Sequence, residues 1–139
     1  MNDTENLHLK VQELCDCFST TDPLKEMSEL KNDKNSLDAA LKWLALSVLH
    51  GINNNAKEVS IRQDEDGKVS VVAEYRDTEL PSPGPDIAAT VFEAVREMTH
   101  IDGDKGKIKF AMGVRDSSLD LNISVKNKDG NRKISIKFP

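Results

Sequence analysis

A chain of 139 residues has the length of one domain, able to bury about two-thirds of its unfolded surface, and 31% charged against 37% hydrophobic residues excludes disorder along its whole length. One Trp, one Tyr and four Phe leave a mainly aliphatic core, and no stretch approaches the ~20 apolar residues needed to span a bilayer, so no membrane insertion is expected. The net charge of −5 hides an asymmetry: residues 1–104 hold 10 Lys and Arg against 21 Asp and Glu, whereas residues 105–139 hold 9 against 3, a basic segment on an acidic body.

The opening MNDTENLHLK lacks the basic-then-apolar pattern of a signal peptide, so a cytoplasmic protein is expected. In residues 4–19, Leu7, Val11, Leu14 and Phe18 recur at intervals of three and four, which is one helix face. Cys15 and Cys17 lie two apart in that helix and point in different directions, which argues against an internal disulfide. A second helix starts in TTDPLKEMSEL: Asp22 suits the N-cap, Pro23 the first helical position, and Leu24, Met27 and Leu30 form a short stripe. KNDKNS is polar and reads as a linker, so residues 1–34 are expected to be a helical appendage to an α+β domain over 35–139.

The strongest helix signal spans 36–50, where Leu37, Ala40, Leu41, Leu44, Ala45, Val48 and Leu49 trace a wide apolar stripe. Asn35 or Ser36 can cap it, and Gly51 is expected to end it in a left-handed conformation. Trp43 and Leu46 fall off the stripe. They are expected to pack under the N-terminal helices or, if exposed, to contact a partner or a second copy of the chain.

Strand signals follow. Val59 and Ile61 alternate with Ser60 and Arg62, QDEDGK supplies an Asp-Gly turn, and 68–76 is β-rich. PSPGP at 81–85 is a rigid break with Pro85 placed to start a helix over 86–99, whose Ile87, Val91, Val95 and Met98 share a face. Three strands close the chain, carrying Ile108, Phe110 and Met112; Leu119, Leu121, Ile123 and Val125; and Ile134, Ile136 and Phe138, with turns at VRDSS and NKDGN. The order, helices and then β-β-α-β-β-β, predicts a five-stranded, mostly antiparallel sheet with helices on one face.

Catalytic motifs are absent. There is neither a phosphate loop nor a Gly-x-Gly-x-x-Gly after a strand. Asp64, Glu65 and Asp66, and Asp102 and Asp104, lack the spaced ligands and closing Glu of a calcium loop and read as turn formers. His8, Cys15 and Cys17 lack the paired spacing of a zinc site, and His50 and His100 suit helix C-termini. No acid/base pair or nucleophile can be assembled, so neither an enzyme nor a cofactor is expected.

The basic segment is more specific. Lys107 and Lys109, with Lys133 and Lys137, occupy the alternation opposite to Ile108, Phe110, Ile134 and Ile136, and so should share the wet face of the sheet. A nucleic-acid platform would interleave stacking aromatics there, yet Phe110 and Phe138 fall on the buried register. The face reads either as solvated charge or as a docking surface for an acidic partner.

From about residue 36 onward the chain resembles the PAS-like domain that precedes the motor domain in ATPases of type II secretion and type IV pilus machines. LDAALKWLALSVLHGINNNAKEVSI supplies its helix and first strand, with Ala56, Glu58, Val59, Ser60 and Ile61 at the signature positions. VAEYRDTEL matches its second element, with Asp77 and Leu80 retained, and DKGKIKF, LDLNISV and DGNRKISIKF match its closing strands, with Gly106 and Gly130 at the family's glycine positions. The family's signature His and Asp correspond to Ser60 and Glu58, its two strand arginines to Ala73 and Tyr75, and the Gly after its Asp to Thr78. Ala73 and Tyr75 offer no guanidinium fork to phosphate, and residues 1–139 contain no motor-domain phosphate loop. The resemblance therefore implies the fold without the ATPase role. The expected function is a non-catalytic interaction or regulatory module, with a secretion or pilus machine among its implied partners and Lys107, Lys109, Lys133, Lys137, Trp43 and Leu46 as candidate contacts. The alternative is a small-molecule sensor, which requires a cavity between the sheet and helix 86–99.

Overall fold

The computed structural model describes residues 3–18, 21–30, 36–74, 78–101, 103–114 and 117–139. Four helices, α1 (Asp3–Cys17), α2 (Pro23–Glu29), α3 (Ser36–Asn53) and α4 (Pro85–Thr99), accompany six strands: β1 (Glu58–Gln63), β2 (Val69–Ala73), β3 (Thr78–Leu80), β4 (Lys105–Val114), β5 (Ser117–Lys128) and β6 (Asn131–Lys137). The strands form one sheet in the order β3-β2-β1-β6-β5-β4, and every neighbouring pair is antiparallel.

The expected five strands are six. Thr78–Leu80 reads in sequence as the tail of the first hairpin, but it returns along β2 with Val71 opposite Leu80 and Val72 opposite Glu79. Burial drives the return: Leu80 follows a polar run and reaches the core only beside the fully buried Val71. Three residues are too few for alternation to announce a strand.

Local chemistry sets the hairpins and helix starts. In the β1–β2 turn the Asp64 carboxylate accepts from the Asp66 and Lys68 amides at 3.0 and 2.9 Å, so it serves the turn. Asp129 and Gly130, with φ of 53° and 83°, form the two-residue turn that fixes the β5–β6 register. Asp22 caps α2 by accepting from the Leu24 amide at 3.1 Å, and Pro23 and Pro85 begin α2 and α4. The expected cap at Asn35 lies outside the described residues, as does the Ser36 side chain.

Helix α3 differs from the sequence reading at both flank and end. From Ala39 to Gly51 only the half-buried Lys42 is not buried, because α1, α2, α4 and β1 all pack around it. A helix apolar all round is a buried helix. Trp43 and Leu46 miss the stripe because α3 is enclosed all round from Ala39 to Gly51 apart from Lys42; both have 0% exposure, which removes them as surface contacts, whereas Leu37, expected in the stripe, lies before the enclosed part and is exposed. Nor does Gly51 end the helix. The helix runs through it to Asn53, and the left-handed residue is Asn55, with φ of 52°. Gly51 is needed for space: a Cβ there would overlap the Phe138 ring.

The N-terminal helices are a layer of the core. Val11, Cys15, Met27 and Leu30 belong to the same buried cluster as α3, α4 and the inner face of the sheet, so the packing does not divide at residue 34. Leu24, expected in the α2 stripe, is exposed. Helix α1 is tied down at both partners, with the Cys15 thiol directed at the Ala45 carbonyl of α3 and Gln12 Oε1 accepting from the Gly113 amide of β4 at 2.7 Å. Across the sheet Arg132 donates to Gln63 and stacks its guanidinium 4.6 Å from the Phe92 ring centre, joining α4 to β6 and β1.

Candidate interaction surface

The helices cover one face of the sheet. Val59, Ile61, Val71, Leu121, Ile123, Ile134 and Ile136 point into that core, so the period of two sends the intervening residues to the other face. There Arg62, Val72, Lys105, Lys107, Lys109, Lys126 and Lys137 are exposed, and Ser60, Ser70, Ser124 and Lys133 are half-buried.

Strand register arranges these side chains in rows. One row places Lys105 opposite Lys126, Lys126 opposite Lys133, Lys133 opposite Arg62, and Arg62 opposite Ser70. The next row, two residues along each strand, runs Lys107, Ser124, Ser135, Ser60, Val72 and Glu79. A third runs Lys109, Asn122, Lys137 and Glu58, with Glu74 beside Glu58 through a 2.7 Å backbone hydrogen bond. Rows are spaced by about 7 Å and strands by about 4.8 Å. Small serines therefore floor a lane walled on one side by four cations and on the other by Lys109, Lys137 and Glu58. Over β1 and β2 the lane deepens into a depression of about 290 Å³ between Arg62, Ser70 and Lys133 on one wall and Glu58 and Glu74 on the other.

Lys107, Lys109, Lys133 and Lys137 thus converge as their alternation predicts. The sequence reading missed Arg62, Lys105 and Lys126, although the Asp129-Gly130 turn alone sets Lys126 opposite Lys133. Its neglect of Arg62 has a different cause. Nothing local in the chain reveals that β1, about 70 residues earlier, pairs with β6.

The remaining cysteine and histidine candidates lie on the helices or at their ends, away from this face. Cys15 and Cys17 are free thiols; Cys17 is exposed, whereas burial, with the Asp16 charge adding to it, pushes Cys15 up to about 12. The His8 side chain and Asp102 lie outside the described residues. His50 is buried in the last turn of α3 beside the Asn54 amide, and desolvation lowers its pKa more than the Asp22 charge raises it. His100 takes the left-handed position that ends α4. Among the described residues no group of three His, Cys, Asp or Glu side chains is placed to hold a metal ion, and no helix is long and apolar enough to cross a membrane.

Between the sheet and α4 the core is filled. The gap among Val48, Val95, Met98, Met112, Leu121 and Ile136 is about 10 Å³ and wholly apolar, near the lower limit for one water molecule. In the first hairpin, Ser60 and Glu58 look onto the outer face, but Ala73 is fully buried against the helices. A guanidinium at position 73 would enter the core. Tyr75 and Asp77 lie outside the described residues, as does the Thr78 side chain. Comparison with known proteins finds no family model that matches the chain and no match among curated proteins.

Proposed function

We propose that this protein is a non-catalytic interaction module of the cytoplasm that docks an acidic protein partner on the outer face of its sheet. The observation that carries the reading is the convergence of six lysines and Arg62 on one uncovered face of a chain whose net charge is −5. The acids of that face, Glu58, Glu74 and Glu79, gather over β1, β2 and β3, with Asp120 at the far end of β5, so the row of Lys105, Lys126, Lys133 and Arg62 holds no acid, whereas cations spread for solubility alone would alternate with acids along it. The helix, hairpin, helix and three closing strands follow the order of the PAS-like domain of secretion and pilus ATPases, and that likeness favours a partner in such a machine.

The filled core weighs against a small-molecule sensor, which needs a cavity beneath α4. The test is partner capture with the intact protein and with Lys107, Lys109, Lys133 and Lys137 all changed to Thr. The captured partner should be lost from the variant and should leave the native protein as salt rises from 0.05 to about 0.5 M, since exposed charge contacts are screened over about 8–10 Å near physiological salt. A partner retained equally by both proteins refutes docking through this face.

A further inference from the structure

We infer that the serine-floored lane is a groove for a short acidic peptide segment laid across the strands, with alternate carboxylates against Arg62, Lys133, Lys126 and Lys105. This rests on the docking role proposed for the outer face and specifies which part of it is read, and by what.

The four-cation row is the first argument. Sheets gain from opposite charges placed directly across neighbouring strands and lose from like charges. Here three successive cross-strand pairs are like-charged. A bound anion turns that internal repulsion into attraction at every position at once.

The floor is the second. Ser60, Ser135 and Ser124 lie opposite one another on adjacent strands; Ser135 is only 6% exposed, so the lane is narrow at β6, and the open part of its floor is made by the half-buried Ser60 and Ser124. Their hydroxyls can donate to carboxylate or carbonyl oxygens.

Length and ends select a peptide. Three strand spacings make the cationic row about 14 Å long, which matches about four extended residues at about 3.4 Å each, whose side chains alternate so that two carboxylates face this row and two face Lys109 and Lys137 on the other wall. Beyond it the lane ends on Val72, 37% exposed, and on the acids Glu58, Glu74 and Glu79. The segment that fits carries about four acidic residues, then an apolar residue over Val72, and no acid after that. A nucleic acid fits worse. Its phosphates would continue over the Glu58, Glu74 and Glu79 corner, and no aromatic ring stands on this face among the described residues to stack a base.

Fluorescence anisotropy with the full chain at 20 mM salt tests the assignment. The probe is a fluorescein-labelled peptide, Gly-Ile-Asp-Glu-Asp-Glu-Gly, and a labelled oligothymidylate of ten nucleotides is the comparison. Lys126→Thr with Lys133→Thr should weaken peptide binding tenfold or more, whereas Lys10→Thr with Lys25→Thr, an equal charge change on the helices, should leave it within twofold. Thermal unfolding of each variant establishes that it is folded. Failure of the peptide to bind the intact protein overturns the groove, as does equal loss in both variants or tighter binding of the oligothymidylate. If Lys107→Thr with Lys109→Thr abolishes binding while the Lys126 and Lys133 pair does not, the lane is wrong and docking through the face stands. If neither pair matters, both readings fall.

Discussion

His50 shows how burial sets chemistry at a single residue. The imidazole lies in the last turn of α3, where a positive charge would interact well with the free carbonyls. It is nevertheless 3% exposed, and the cost of charging a group removed from water outweighs both that benefit and the nearby Asp22. Its pKa in the fold is therefore below the ordinary value of about 6.5. Between the two values the unfolded chain binds more protons than the folded one, so stability is complete above pH 6.5 and declines as pH drops through that window. Urea denaturation from pH 7.5 to 5.5 should show the decline, at most about 1.4 kcal/mol per pH unit for one proton, and His50→Gln should flatten it. An unchanged slope in the variant would assign the pH dependence to another group.

Among elements, the β4-β5-β6-β1 ladder carries the most testable energetics. Like charges directly opposite each other cost about 0.2–1 kcal/mol per pair, and Lys126 and Lys133 take part in all three such pairs. Changing both to Thr, a good strand former, should raise stability by about 1 kcal/mol at low salt, with the gain shrinking near 1 M salt. Guanidinium chloride is itself a salt, so thermal melts at fixed pH or urea titrations should be used; a loss of stability would show that the lysines are locally compensated. Alternation makes the parity of these strands legible, and it alone places Lys107, Lys109, Lys133 and Lys137 on one face. Parity says nothing about which strands are neighbours. The contribution of Arg62 depends on β1 pairing with β6 across α4 and four intervening strands of the chain, and β3 is so short that only its partner β2 defines it. The stripe on α3 was readable but understated, because a stripe marks one buried face and this helix is enclosed by several elements.

At the scale of the whole molecule, the helices before residue 31 decide whether the chain has one core or two. Amphipathic spacing correctly marks Val11 and Met27 as core residues, but the polar run at 31–35 suggests a division that the packing does not respect. Fully burying a single Val, Leu or Met contributes about 1.5–3 kcal/mol, so Val11, Met27, Leu30 and the α3 surface they cover amount to a large part of the 5–15 kcal/mol typical of a domain. A chain of residues 36–139 should therefore lose cooperative thermal unfolding and bind a hydrophobic dye. A sharp transition at the original temperature would establish the N-terminal helices as dispensable.

Strand β4 is ten residues long and stands at the edge of the sheet, the kind of border that invites another chain to add a strand. Lys105, Lys107 and Lys109 along it deter such pairing by repulsion. In the proposed docking role the same lysines would also guard an aggregation-prone border, and neutralising them would remove that guard. A partner seated in the proposed lane, by neutralising Lys105, would have to cover the β4 edge as well to keep complexes from pairing edge to edge.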